Sequence, residues 1–170
     1  MRAFTLALLF LMMPLAPAAL AQAPAAPADP AMKTFASASE ITALIAKAKA
    51  ERKDGQALVA ERILTLAPYR ATLEYRAGPA PAAVHEKDAE LMVVLEGAGT
   101  ITTGGTLVDE KRTNPANLSG SGIAGGTAQD LKKGDVIIVP EKVPHQTKPA
   151  DGQVIVLMTF HVPRPAAGWP

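Results

Sequence analysis

Polar and apolar positions change their period once along this chain. From Ser37 to Gln56 the apolar residues Ile41, Leu44, Ile45 and Ala48 recur at helical spacing. Ser37 and Glu40 make an S-x-x-E capping pattern at the front, and Gly55 stands where a C-cap is expected. The spacing predicts one helix over 37–56. Beyond Ala57 the period drops to two. In "YRATLEYR" Tyr69, Ala71, Leu73 and Tyr75 alternate with Arg70, Thr72, Glu74 and Arg76, and Pro68 separates this run from "ALVAERILTL". Arg70 and Arg76 share a strand face and could grip a carboxylate, but alternating charge usually marks a solvated face. "AELMVVLEG", "TITTGGTLVDE", "DVIIVP" and "QVIVLMTFHV" are further strands; Gly97 to Gly99 is read as a turn, and "DVIIVP" as a fully buried strand. "KRTNPANLSGSGIAGGTAQD" is polar and glycine-rich, so residues 109–129 are expected to form an inserted flap. Many short strands with Gly/Pro punctuation and no β-α alternation point to an all-β antiparallel sandwich or barrel over 57–163.

The N-terminus has another character. "MRAFTLALLFLMMPLAPAALAQ" pairs one basic residue, Arg2, with an apolar run that Pro14 and Pro17 interrupt, and it ends in the small-x-small tripeptide Ala19-Leu20-Ala21. That is the pattern of a secretory signal cleaved after Ala21, and the run is short of the ~20 residues that span a bilayer. A retained membrane anchor is the alternative. Residues 22–36 are read as an Ala/Pro linker and 164–170 as an irregular tail. Export with no cysteine in the chain fits a periplasmic or secreted protein without disulfides.

Charge and composition then remove function classes. Arg2 is the only charged residue before residue 22, so the mature chain sets an equal number of basic residues against its 16 acidic ones. Such balance gives no field for nucleic acid or for anionic lipid after signal cleavage. Without cysteine there is no thiol nucleophile, and no G-x-S-x-G elbow is present. The glycines from Gly120 to Gly126 are followed by neither a Lys-Ser/Thr pair nor a helix, so no phosphate loop is read there.

Candidate chemistry lies in two stretches. "AAVHEKDAELMVVLEG" (82–97) places His85 ahead of Glu90, and "GDVIIVPEKVPHQ" (134–146) places His145 behind a run of β-formers. His85 and Glu90 differ by an odd number, so a turn at Glu86-Lys87-Asp88 is needed before both face one way. A lone carboxylate facing a barrel interior is costly unless paired or bound to metal. Lys87 is a weak candidate for a substrate anion, and His161 for a cavity contact, each with a plain surface role as its alternative.

These stretches resemble the two motifs of the cupin superfamily, G-x5-H-x-H-x3,4-E-x6-G and G-x5-P-x-G-x2-H-x3-N. His85, Glu90 and Gly97 match the first; Gly134, Pro140 and His145 match the second. The departures are Ala83 for the first histidine of H-x-H, Lys142 for the second motif's inner glycine and Pro149 for its asparagine. The resemblance covers roughly residues 57–163. It implies a cupin-type antiparallel β-barrel (jelly roll) with one N-terminal α-helix, and one divalent metal ion (Fe, Mn, Ni or Zn) on His85, Glu90 and His145. Two imidazoles and a carboxylate form a ligand set that leaves metal positions open. The resemblance further implies a small-molecule ligand in the barrel, and assembly into a homodimer is compatible with it. An oxygenase, an isomerase or lyase, and a hydrolase all suit that set. A binding barrel that has lost its metal is the alternative that Ala83 raises.

Overall fold

A computed structural model describes residues 32–164. One helix, α1 (Ala38–Glu51), precedes twelve strands: β1 (Leu58–Leu66), β2 (Tyr69–Arg76), β3 (Ala82–His85), β4 (Asp88–Thr103), β5 (Thr106–Val108), β6 (Lys111–Asn114), β7 (Asn117–Gly120), β8 (Gly122–Ala124), β9 (Thr127–Lys132), β10 (Val136–Val139), β11 (His145–Pro149) and β12 (Ile155–Pro163). The stretch read as a signal peptide, most of that read as linker and the last six residues fall outside the described part. Among the described residues no helix is long and apolar enough to cross a membrane.

α1 carries the expected capping box, in which Ser37 Oγ accepts from Glu40 N while Glu40 Oε2 accepts from Ser37 N. Its end differs from the expectation. The helix stops at Glu51 with Arg52 as an extended C-cap, and Gly55, at φ +76°, belongs to the turn beyond. Ile41, Leu44, Ile45 and Ala48 pack on Ile63, Leu73 and Tyr75, so the helix covers the outer face of the β1–β2 hairpin. The helix's large aliphatic side chains are partly buried there, so each contributes less than the roughly 1.5–3 kcal/mol of full burial. Lys33, inside the stretch read as linker, exchanges two backbone hydrogen bonds with Thr65 and lies against the same hairpin.

The strands are antiparallel and run β1-β2-β12-β4-β11-β3-β7-β6, with β10 and β9 also on β4. β4 holds the fold together. Its first half pairs with β12 and β10, and its second half with β11 and β9, so one strand serves two sheets. The bend between the halves is where Gly97–Gly99 was expected to be a turn; instead β4 runs through it. Gly97 sits at φ +77°, and an added Cβ would overlap the carbonyl oxygen of Val154. A β-bulge beside it in the β12 pairing supplies the bend. Met92, Val94, Ile101, Leu131, Val139, Ile155 and Leu157 fill the space the curled sheet encloses.

Two further expectations are corrected. β10 is not buried on both faces: Val136 is 65% and Ile138 64% exposed, while Ile137 and Val139 on the alternate face pack on the core. The stretch 109–129 is not a structureless flap. Left-handed Asp109, Gly125 and Gly126 close its tight turns, β6 and β7 extend the sheet beside β3, and β5 pairs with β8.

Candidate metal centre

The inner row of β4 reads Glu90, Met92, Val94, and that of β12 reads Ile155, Leu157, Thr159, His161. Each row grades from apolar core to a polar end. The β4–β12 register pairs His161 with Glu90 and so brings the polar ends together. β3 ends at His85, and a two-residue bend at Glu86-Lys87 leads into β4, which meets the parity requirement seen in the sequence. β11 begins at His145, which pairs with Ala83 on β3. The chain's three histidines thus converge on one carboxylate.

His145 Nε2 lies 2.8 Å and His85 Nε2 3.4 Å from Glu90 Oε2, while His161 Nε2 stands 4.0 Å from Oε1. Ligand atoms of His85, Glu90 and His161 all lie within 4.8 Å of one another. The His85 ring is 4.5 Å from that of His161 and 5.2 Å from that of His145, centroid to centroid. Glu90 is only 4% exposed. The position that the cupin pattern gives to a further histidine is held by Ala83, which lines the same cavity. Sequence reasoning left His161 undecided between cavity and solvent. The signal that decides it is strand pairing, which a single sequence does not carry.

The outer nitrogens of two rings are already engaged. His145 Nδ1 donates to the carbonyl of Val143 (3.1 Å), and His85 Nδ1 donates to Asn117 Oδ1 (2.7 Å). A carbonyl oxygen can only accept, so the Nδ1 proton is fixed and Nε2 of a neutral ring presents a lone pair. A lone pair 2.8 Å from a carboxylate is repulsive. A cation belongs between them, either a proton on the ring or a metal ion. His161 Nδ1 is buried without a hydrogen-bond partner, its nearest acid being Asp88 Oδ2 at 3.7 Å.

The charge states follow. Burial pushes the Glu90 carboxyl up, but hydrogen bonds from His145 and His85 outweigh it and hold the group well below the usual carboxylate range. For His85, burial opposes protonation, and the hydrogen bonds with Glu90 and Asn117 overcome it, so the pKa is raised. Burial lowers the pKa of His161; Glu90 opposes that, and the charges of His85 and Arg70 add to it.

The centre opens into a cavity of about 330 Å³ lined by these residues and by Glu74, Arg76, Asn117, Gln146 and Thr147. The charged row of β2, read as solvated, lines this cavity through Glu74 and Arg76, because the apolar row is taken up by α1. Lys87 is exposed in the turn and does not line the cavity. Lys142, in place of the motif glycine, adopts φ +65°, and its N–H donates to the carbonyl of His85 at 2.7 Å, tying the two motifs together.

No protein-family description matches the chain, and no curated relative matches it. Solved structures do. A Klebsiella pneumoniae protein with a double-stranded β-helix domain shares 14% identity at a TM-score of 0.49, over 66% of this chain and 82% of its own. The Cnp3 cupin domain of Schizosaccharomyces pombe shares 16% at 0.47, over 64% and 62%. A hydroquinone 1,2-dioxygenase solved with Cd2+ and 4-hydroxybenzonitrile shares 14% at 0.48, over 61% and 63%. The chain spans less than two thirds of the length of the last two. These likenesses are of fold, and no activity passes through them.

Proposed function

We propose that this cupin, a double-stranded β-helix by its strand order and its motif residues, is an exported protein that binds one divalent metal ion (iron, manganese, nickel or zinc) on Glu90 and the imidazoles around it. The observation that carries the reading is the convergence of every histidine in the chain on one buried carboxylate. His85, Glu90 and His145 come from the two motif stretches. His161, reaching Glu90 from β12, supplies the imidazole that Ala83 removes. Three imidazoles and one carboxylate suit borderline divalent metals.

A bound metal would act as a Lewis acid toward an oxygen of a small molecule in the cavity. The protein's own part is to orient. Val143 and Asn117 hold the His145 and His85 rings so that Nε2 points inward. Glu90 stays ionised and supplies the one formal negative charge among these four side chains. Met92 and Val94 continue Glu90's row of β4 into the apolar core. The metal-free binding barrel is the reading that Ala83 alone would favour; His161 beside Glu90 counts against it.

The N-terminal pattern supports export, and processing there would leave Gln22 as the first residue on N-terminal sequencing. Calorimetric metal titration tests the site itself. Glu90→Gln is expected to lose more than the roughly 10–100-fold in affinity typical of an outer partner, and His85→Ala, His145→Ala and His161→Ala each to weaken binding. Wild-type affinity in His161→Ala would reduce the site to the three motif residues. Wild-type affinity in Glu90→Gln would remove the proposal.

A further inference from the structure

Resting on that metal reading, the groups behind the three rings single out Asp88. The His145 and His85 rings each set Nδ1 on a neutral acceptor, the Val143 carbonyl at 3.1 Å and Asn117 Oδ1 at 2.7 Å. The His161 ring has no such support, since its Nδ1 is buried without a hydrogen-bond partner. Asp88 is the acid that faces it, with Oδ2 3.7 Å from Nδ1, while Nε2 on the far side of the ring faces Glu90 Oε1 at 4.0 Å. One imidazole thus lies between two carboxylates.

Strand register makes this placement. β12 pairs with β4 so that His161 stands opposite Glu90 and Pro163 opposite Asp88, which puts Asp88, Glu90 and His161 on one face of the sheet. The Asp88 side chain is 25% exposed and forms no other ion pair among the described residues. At 3.7 Å the contact is wider than the roughly 2.7–3.2 Å of an N–H···O bond, and a carboxylate with no competing partner is free to turn and close it. Metal binding supplies the reason to do so. A metal ion on Nε2 leaves a neutral ring whose one proton sits on Nδ1, and a buried N–H without an acceptor is costly. A carboxylate behind an imidazole also fixes the ring's orientation and raises its basicity as a ligand. His161 has the most to gain, because it stands furthest of the three rings from Glu90.

We propose that Asp88 is the positioning residue of His161: its carboxylate accepts a hydrogen bond from Nδ1 and so holds Nε2 toward the metal. Calorimetric Zn2+ titration of the full-length protein makes the test, on wild type, Asp88→Ala and Asp88→Asn, and on Asp88→Ala combined with His161→Ala. Asp88→Ala is expected to weaken Zn2+ binding by roughly 10–100-fold, the range for loss of an outer partner. Asp88→Asn keeps an acceptor oxygen and is expected to recover most of that loss. In His161→Ala protein the Asp88→Ala change is expected to cost nothing further, because the contact it removes is already gone. Imidazole NMR of Zn2+-loaded wild type reads the same contact without any variant: the His161 Nδ1 proton should be protected from exchange with water. Asp88→Ala protein that binds Zn2+ like wild type overturns the proposal. So does an equal loss with and without His161, which would make Asp88 a source of negative charge and not a support for that ring, and so does a His161 Nδ1 proton that exchanges freely. Each of these leaves the metal reading standing, whereas wild type that takes up no Zn2+ overturns both.

Discussion

Each of the three imidazoles faces Glu90 under a different constraint, and the differences decide how the centre answers to pH. His85 holds its proton more firmly than a free imidazole because Glu90 and Asn117 favour the charged ring more than burial disfavours it. His161 gives up its proton more readily, mainly through burial. A metal must displace any proton from Nε2, so affinity falls as pH falls, and the raised pKa of His85 makes protons compete there at higher pH than at a free imidazole. Metal titrations at pH 8, 6.5 and 5 should therefore show affinity already reduced at 6.5 and low at 5. Equal affinity at all three values would mean that these histidines are not the ligands. In metal-free protein the same pairing has the opposite sign at His85: the stability contributed by its raised pKa is present at low pH and is lost as pH rises through the folded value. The depressed Glu90 value contributes stability above the ordinary carboxylate pKa, and that is lost as pH falls toward the folded one.

Among the elements, the turn between β10 and β11 has the clearest consequence. Lys142 takes the left-handed conformation at φ +65° where the cupin pattern has glycine. That costs an L-residue about 1–2 kcal/mol, of which glycine's larger unfolded-state entropy takes back roughly 0.5–1. Lys142→Gly should therefore raise the melting temperature by about 2–4 °C while keeping the N–H bond to the His85 carbonyl. A lower melting temperature would show that the lysine side chain contributes more than its backbone conformation costs. Local pattern revealed much at this scale. The capping box at Ser37, the β1–β2 hairpin about Pro68 and the turn between His85 and Glu90 were legible because each is set by neighbouring residues. What pattern missed was set by partners distant in the chain. Gly97 bends a strand instead of ending it because β12 and the Val154 carbonyl approach there. Ile138 is exposed because Ile137 and Val139, on the alternate face of β10, take the side that packs on the core. Glu74 and Arg76 face the cavity because α1 claimed the other side of β2.

At the scale of the molecule, the site is where two graded strands end together. β4 passes from apolar core to Glu90 and β12 to Thr159 and His161, and their antiparallel register sets Glu90 opposite His161. The motif spacing made His85, Glu90 and His145 readable in advance. It gave no reason to choose His161, since its position depends on a pairing between residues 71 apart. Where the cupin pattern has a further histidine this chain has Ala83, and His161 approaches Glu90 from a different strand. The measurement that bears most directly on this is elemental analysis of the mature protein, purified without histidine tags or chelators. About one equivalent of iron, manganese, nickel or zinc per chain is predicted, and none in Glu90→Gln. Wild-type protein that remains metal-free after incubation with each of the four would contradict it, leaving the convergence of three histidines on Glu90 as a proton-bridged cluster in a ligand-binding barrel.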